Sequence, residues 1–247
     1  MAKKLKDYYD MEFARDIAGK LHSVYPTFKK QAFIKHYENN FTDKEFLQRQ
    51  DVVVDALDKS LPDDYAENIY IFHQILGEEL TKTEGMFTEG WWLWPIGRYV
   101  EKYGTKDLRV SLDFIKELTK RHTGEFAIRP LLAKYPKETV SEMLAWSTDE
   151  SVHVRRLAGE GMRIRLPWAK KIYVCIDEFD TYKQILTNLK NDSSKFVQKS
   201  VGNNLNDLMK ERPEKAQEII AEWQENNPSK ETLWIIRHGL RSERKKK

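Results

Sequence analysis

The residue best suited to chemistry is an acid placed among arginines. Glu160 is the one acidic residue of the segment His153–Lys171, HVRRLAGEGMRIRLPWAKK, which carries six basic side chains. On a helix, Arg156 and Arg163 flank Glu160 at positions i−4 and i+3. An acid in such a segment weakens the attraction of the segment for phosphate, so its presence requires a separate explanation. One explanation is catalysis, and the alternative is a surface ion pair worth at most about 0.5 kcal/mol.

Glu125 and Asp207 are two further acids with catalytic potential. Glu125 follows Thr123 and begins the helix predicted for EFAIRPLL, where it could equally stabilise the positive end of the helix dipole. Asp207 lies one turn after Asn203 in SVGNNLNDLMK. Its basic neighbour on that helix is offset by another acid, so the sequence does not make Asp207 half of an ion pair, and a solvent-facing helix acid is the alternative.

Other catalytic and metal-binding signatures are absent from the sequence. It has no P-loop, no GxGxxG after a strand, no nucleophile elbow and no HExxH. The six histidines show no ligand spacing, and the single cysteine, Cys175, lies in the apolar run KIYVCI. We therefore expect no metal site, no cofactor and no disulfide.

Tryptophans close to basic residues form a second group of interest. Trp91, Trp92 and Trp94 fall within GWWLWPIGRYVEKYG, and Trp168 falls within RLPW. Aromatic side chains beside cations can stack on bases or sugars. Packing between helices is the favoured interpretation for the first three, whereas stacking and packing stay equally open for Trp168.

The elements that must position these residues are predicted to be helices. Apolar residues recur at spacings of three and four residues in the stretches 21–36, 66–80 and 110–119. Two short runs, Lys171–Ile176 and Trp91–Val100, are weaker candidates for strands and are easily helical.

The chain also resembles itself at an offset of 43 residues. Thr148–Ile164 aligns without a gap with Asn191–Asp207, and Lys230–Ser242 is a looser third copy. A helical period of roughly 40–47 residues is typical of HEAT and armadillo arrays, in which helix pairs stack because one pair cannot bury its apolar face alone. We predict an all-α fold, a HEAT-like repeat α-solenoid with a concave basic groove. The alternative is another all-α fold with a duplicated helical hairpin.

The net charge of +3, from 42 basic and 39 acidic residues, hides an asymmetry. Residues 1–124 carry 19 basic and 21 acidic side chains, whereas residues 125–247 carry 23 and 18. No linker rich in Gly, Ser or Pro is visible, so the sequence predicts a single helical repeat domain over residues 1–240. A basic tail follows over residues 241–247, and its last three lysines are expected to be disordered rather than a binding site.

Membrane and secretory segments are not visible in the sequence. The longest strongly apolar stretch, Trp91–Ile96, is far shorter than the ~20 residues that span a bilayer. The first ten residues, MAKKLKDYYD, have no apolar signal region. We expect a cytoplasmic protein with no membrane partner.

Four motifs together resemble a known family. GEELTKTEGMFTEGWWLWPIGRYVEKYG, EFAIRPLL, VRRLAGEGMRIRLPW and SVGNNLNDLM are similar to the AlkC group of the AlkC/AlkD DNA glycosylases. The resemblance covers roughly Leu76 to Leu240. It implies HEAT-like repeats wrapped around duplex DNA, and removal of cationic alkylated bases such as 3-methyladenine as the first step of base excision repair. Some members add a C-terminal immunoglobulin-like domain, and this chain is expected to be a short form without one.

The resemblance also implies roles for individual residues. The catalytic candidates, matched to acids of these motifs, are Glu125, Glu160 and Asp207. The candidates for DNA binding are Arg155, Arg156, Arg163, Arg165, Trp168 and Lys199. The implied partner is double-stranded DNA with alkylated bases, bound in the bacterial cytosol or nucleoid by a monomer.

The chemistry implied by the resemblance suits carboxylates. An N3- or N7-alkylated purine is already cationic and leaves without being protonated. The protein must then stabilise an oxocarbenium-like sugar and position a water, as paired carboxylates do in glycosidases. A monofunctional alkylpurine DNA glycosylase is the predicted function. The alternatives are a non-catalytic HEAT-repeat module that binds DNA or protein, and a purely structural helical scaffold.

Overall fold

The computed structural model describes residues 3–225 and 227–244, and it divides into two compact units, Met1–Ala127 and Ile128–Lys247. Every regular element in the described residues is a helix, and none of them is a strand. The predicted all-α class is therefore confirmed, and the candidate strands are helical or irregular. The extent of the domain stays a prediction, and Lys245–Lys247 of the predicted tail lie outside the described residues.

The described residues of the first unit form six α-helices. They are α1 Met11–Val24, α2 Lys30–Asn40, α3 Phe46–Ser60, α4 Tyr65–Gln74, α5 Trp94–Tyr103 and α6 Leu108–Thr119. Short 3₁₀ turns occupy Leu5–Tyr8, Trp91–Leu93 and Gly104–Lys106. An aspartate side chain accepts backbone N–H groups at the start of α1, α4 and α6, at Asp10, Asp64 and Asp107. These caps fix where the helices begin, because the first-turn N–H groups lack partners within the helix.

The tryptophan cluster of the first unit packs against aromatic side chains. The Trp91 ring meets the Tyr9 ring edge-on, with centroids 5.2 Å apart, and the Trp94 ring meets Phe46 in the same way at 4.8 Å. The ammonium group of Lys20 lies 5.3 Å from the centroid of the Trp92 ring. The packing interpretation is confirmed for Trp91 and Trp94.

The second unit is a series of helical hairpins. Its helices are α7 Ile128–Lys134, α8 Pro136–Trp146, α9 Val152–Glu160, α10 Val174–Asp177, α11 Phe179–Leu189, α12 Lys195–Glu211, α13 Pro213–Gln224, α14 Lys230–Gly239 and α15 Arg241–Arg244. Prolines open α8 and α13, where a missing N–H costs nothing. The second helices of the successive hairpins are α9, α12 and α14.

The internal repeat is confirmed at the level of single hydrogen bonds. The carboxylate of Asp149 accepts the N–H of Ser151 at 2.8 Å, just before α9. At the equivalent point before α12, the carboxylate of Asp192 accepts the N–H of Ser194 at the same distance. The two helices therefore begin with the same local structure, 43 residues apart.

Glycines bring the second helices of neighbouring hairpins close together. A Cβ on Gly239 of α14 would lie 2.7 Å from Cβ of Leu205 on α12, and one on Gly202 of α12 would lie 2.7 Å from Cδ2 of His238. On the other side of α12, a Cβ on Gly159 of α9 would lie 3.2 Å from Oγ of Ser200. Polar side chains on α9, α12 and α14 can meet because the helices approach this closely.

No helix in the described ranges is long and apolar enough to cross a membrane.

Candidate active site

Glu160 lies at the last residue of α9 and is only 5% exposed. Ser200 on α12 donates its hydroxyl to Oε2 of Glu160 at 2.7 Å. Arg163 donates Nη1 to Oε1 at 2.8 Å, and Nη2 of Arg156 lies 3.4 Å from the same oxygen. Both predicted ion-pair partners are therefore present, but the group is buried, so the surface ion-pair interpretation is wrong.

Asp207 lies on α12 and is only 4% exposed. Its Oδ2 accepts Nε of Arg163 at 3.0 Å and the backbone N–H of Arg165 at 3.3 Å. The sequence interpretation left Asp207 outside any ion pair, and this is wrong because only neighbours along the same helix were considered. The actual partner precedes it by 44 residues and belongs to the previous repeat.

Arg163 joins the two carboxylates. Its buried guanidinium donates one N–H to Glu160 and another to Asp207. Burial alone would lower the pKa of Arg163, but the two carboxylates outweigh it and raise that pKa above its ordinary value. The arrangement fixes the separation and orientation of both acids through one rigid planar group.

The charge state of Glu160 follows from the same contacts. Burial raises the pKa of this carboxyl, but the charges of Arg156 and Arg163 and the hydrogen bond from Ser200 together lower it below its ordinary value. Glu160 is therefore ionised at neutral pH. An ionised acid can stabilise a developing positive charge but cannot donate a proton.

Arg129 is a positioning residue that the sequence interpretation missed. From α7, its buried guanidinium donates Nη1 to the backbone carbonyls of Arg163 at 2.9 Å and Gly161 at 3.3 Å, and Nη2 to the carbonyl of Lys170. These bonds hold the irregular segment that follows α9 and carries Arg163. The signal available in the sequence was a lone arginine within the apolar run EFAIRPLL.

Glu125 belongs to the first unit, in a turn that precedes α7. The prediction that it begins the helix is wrong, because α7 starts at Ile128. Thr123 donates its hydroxyl to Glu125 Oε2 at 3.0 Å and accepts the Glu125 backbone N–H at 3.3 Å. This local turn competes with a helical start at Glu125. Glu160 and Asp207 are thus joined through Arg163. Glu125 forms hydrogen bonds with Thr123.

Two arginines of the basic segment make contacts between repeats. Arg155 donates Nε to Asp192 at 2.7 Å and Nη1 to the carbonyls of Asp149 and Glu150 at 2.9 and 2.8 Å. The guanidinium of Arg156 lies 5.1 Å from the centroid of the Phe196 ring on α12. Both side chains therefore help to hold α9 against α12.

A group of cations surrounds Glu211 at the end of α12. Arg165 donates Nε and Lys171 donates Nζ to the same oxygen, Oε1, at 2.7 and 2.8 Å, and the Tyr173 hydroxyl lies 3.4 Å from Oε2. The hydrogen bonds from Lys171 and Arg165 lower the pKa of the Glu211 carboxyl. One acid thus holds two exposed cations in place.

Trp168 and Lys199, like Arg165, are exposed members of the predicted DNA-binding set. Trp168 is 66% exposed, and its backbone adopts a left-handed conformation with φ of 64°. Such a conformation is costly for a bulky residue and is found mainly where function requires it. Lys199 is exposed on α12, one turn before Asn203.

Within the described ranges, no cluster of three or more His, Cys, Asp or Glu residues could hold a metal ion. The arrangement that remains is an acid pair bridged by a guanidinium at the junction of two repeats.

Comparison with known proteins identifies the class. The family model of DNA alkylation repair enzymes matches residues 96–242, and the chain belongs to this family. It is similar to AlkC, the Pseudomonas fluorescens alkylpurine DNA glycosylase whose structure was solved bound to DNA containing an abasic site analog, with a TM-score of 0.85 and 35% identity over 99% of this chain and 66% of that one. The shared helical-repeat fold is the one predicted.

A relative from Bacillus subtilis (strain 168), the uncharacterized protein YhaZ, is 32% identical over 243 residues. The match covers 98% of this chain and 65% of the relative. The chain therefore spans less than two thirds of the length of both proteins.

Proposed function

We propose that this protein is a monofunctional DNA glycosylase. It hydrolyses the N-glycosidic bond of cationic alkylated purines, of the 3-methyladenine type, in duplex DNA and so initiates base excision repair. It acts as a monomer, without a cofactor, in the bacterial cytosol or nucleoid. The observation that carries the proposal is the pair of buried carboxylates, Glu160 and Asp207, bridged by Arg163 in a chain of the DNA alkylation repair family.

The ionised state of Glu160 suits a leaving group that already carries a positive charge. Departure of such a base leaves an oxocarbenium-like sugar, which an adjacent anion stabilises electrostatically. Arg163 and Arg156 hold the Glu160 carboxylate in place before DNA arrives. The stabilising charge then needs no reorganisation during the reaction.

Asp207 is suited to orienting the attacking water. Both hydrogen bonds that it accepts from described residues end on Oδ2, from Arg163 and Arg165. Oδ1 accepts none from the described residues, so it can accept a hydrogen bond from water. We assign Glu160 to charge stabilisation and Asp207 to the water, and Glu125 remains a third catalytic candidate.

Binding to DNA is attributed to exposed cations rather than to the bridging arginine. Arg165, Lys171 and Lys199 are exposed and can contact phosphates, which fixes register without reading sequence. Trp168 can stack on an exposed base or sugar beside them. Arg155 and Arg163, both placed in the predicted DNA-binding set, donate to protein carboxylates in the free protein.

The test is release of 3-methyladenine from methylated duplex DNA, separated by chromatography and quantified under single-turnover conditions. The wild type is expected to release the base, and Asp207→Asn to release it at a rate lower by a factor on the order of 10² or more. A wild type that binds DNA but frees no base would indicate the non-catalytic module. Full activity of Asp207→Asn would be consistent with the proposed glycosylase activity but would contradict the role assigned to Asp207.

Replacing Glu211 with glutamine is expected to strengthen DNA binding. The change releases Arg165 and Lys171 from a shared carboxylate, so about one more cation can neutralise phosphate. The affinity should rise roughly fivefold at 0.15 M salt, and the salt dependence should steepen by about one unit. Fluorescence anisotropy of a labelled duplex over a salt series measures both quantities.

The matched control for Glu211 is Glu218→Gln, which removes a carboxylate paired with Lys183 at 3.0 Å in the same unit. We expect this variant to leave the salt dependence unchanged. Weaker binding by Glu211→Gln would mean that the carboxylate positions the cations for DNA instead of competing for them.

A further inference from the structure

Two basic side chains contact one amide at the junction of α12 and α14, and a third lies one turn away. The Oδ1 atom of Asn203 lies 3.2 Å from Nε2 of His238 and accepts Nη2 of Arg241 at 2.9 Å. Since an amide oxygen only accepts, Nε2 of His238 carries the hydrogen. Lys199 is exposed one turn earlier on α12, and Asp207 follows Asn203 by one turn.

The positive charge of this cluster is not balanced by an ion pair within the described residues. No carboxylate of the described residues forms an ion pair with Lys199, His238 or Arg241. Burial lowers the pKa of His238, and the charges of Arg241 and Lys199 lower it further. Burial and the charge of Arg163 likewise lower the pKa of Arg241, although Asp207 acts in the opposite direction. The cluster is therefore electropositive and would be relieved by an anion.

The guanidinium of Arg241 is fixed in position by two neutral acceptors and can bind such an anion. Its Nη1 donates to the backbone carbonyl of His238 at 2.7 Å, and its Nη2 donates to Asn203. The Nε hydrogen and the second hydrogen on each Nη make no hydrogen bond to described residues. A guanidinium fixed by neutral acceptors keeps its full charge and its planar fork, which match the oxygens of a phosphate.

We propose that Lys199, His238 and Arg241, anchored by Asn203, form a clamp for one phosphodiester group of the DNA backbone beside Asp207. The clamp rests on the proposed function for its ligand, duplex DNA. It brings a phosphate to within one helical turn of the acid that orients the water, and so fixes the register of the sugar against the acid pair.

The first test compares Arg241→Gln with Arg237→Gln, which removes the same charge from an exposed position on α14. Binding of a duplex that contains an abasic-site analogue is measured by anisotropy over a salt series. Arg241→Gln is expected to bind roughly fivefold more weakly at 0.15 M salt, with the salt slope reduced by about 0.9. Arg237→Gln is expected to keep the wild-type slope, and equal slopes for the two variants would overturn the clamp.

The second test keeps the fold and neutralises the cluster. Asn203→Asp places a carboxylate between His238 and Arg241, which pairs with Arg241 and still accepts the His238 N–H without changing side-chain size. The salt slope should fall by more than in Arg241→Gln, while the midpoint of thermal unfolding does not decrease. Unchanged DNA binding by Asn203→Asp would mean that His238 and Arg241 serve packing alone.

The pH dependence of DNA binding distinguishes the clamp from a purely structural role of His238. Burial and the charges of Arg241 and Lys199 hold the pKa of His238 low in the free protein, and a phosphate raises it, so DNA binding takes up a proton. Affinity of the wild type should increase from pH 8 to pH 6 more than affinity of His238→Gln, and parallel profiles would contradict the clamp.

Base release by the wild type is measured separately. A wild type that binds DNA without releasing base refutes the glycosylase proposal and leaves the clamp supported.

Discussion

Replacing Arg163 with methionine is expected to destabilise the protein by about 3–5 kcal/mol and to abolish base release. The substitution removes the one guanidinium that joins Glu160 and Asp207, so buried Asp207 loses its ion pair and Glu160 keeps only the pair with Arg156. Breaking a buried pair costs this much because the remaining charges lose their partner but stay out of water. Urea denaturation at pH 7, followed by circular dichroism, measures the change in the free energy of unfolding.

The stability lost on replacing Arg163 depends on pH in a defined direction. In the wild type the pKa of Glu160 is below its ordinary value, so its contribution to stability is present above the unfolded-state pKa and disappears as the pH falls through the folded-state pKa. Without Arg163, one of the two guanidinium charges that lower the pKa of Glu160 is lost, so that pKa is higher in the variant than in the wild type. The difference in stability between the variant and the wild type should therefore shrink as the pH falls from 7 to 4.

Two further variants separate the charge of Arg163 from its geometry. Arg163→Lys retains one positive charge but cannot reach both carboxylates in the planar fork, so an intermediate stability is expected. The triple variant Arg163→Met, Glu160→Gln, Asp207→Asn removes both buried carboxylates together with the bridging guanidinium, and it should recover much of the lost stability without recovering base release. A stable Arg163→Met protein with wild-type base release would contradict the bridging role.

The repeat explains why much of the second unit follows from the sequence. Asp149 and Asp192 are followed two residues later by Ser151 and Ser194, and each pair makes the same bond before a helix. Such caps are local, so a pattern of residue types is enough to predict them. Glycines at matching positions, Gly159 among them, then let the repeated helices approach.

The acid pair does not follow from the sequence, because its contacts are not local. Arg163 comes after the end of α9 and reaches Asp207 on α12, 44 residues further along the chain. Reasoning from positions i+3 and i+4 found the bond to Glu160 but could not find the second one. The support of Arg163 by Arg129 depends likewise on how α7 packs in the unit.

The number of arginines in the basic segment also overstates the positive charge that this segment presents to DNA. Arg155 is paired with Asp192, and Arg163 is paired with Glu160 and Asp207, so these charges are already balanced within the protein. The cationic cluster around Asn203 has no such balance among the described residues, although its sequence is less basic. Local pairing, rather than the density of charge along the chain, decides where a phosphate is attracted.

Replacing Glu160 with glutamine is expected to separate DNA binding from chemistry. The change removes a buried negative charge between Arg156 and Arg163, so duplex DNA should bind more tightly than it does to the wild type. Base release should slow by a factor on the order of 10²–10³, the usual cost of removing one preorganised electrostatic group from a transition state. Anisotropy measures the affinity, and single-turnover release of 3-methyladenine measures the rate.

Opposite changes in affinity and rate are the diagnostic result, because a loss of folding would lower both. Glutamine is nearly isosteric with Glu160, and its amide oxygen can still accept the Ser200 hydroxyl. The matched control is Glu150→Gln, which removes the charge of an exposed acid just before α9 and is expected to leave the rate unchanged. If Glu160→Gln released base at the rate of this control, Glu160 would act only as a partner of the arginines, and the sugar cation would have to be stabilised by Asp207 or Glu125.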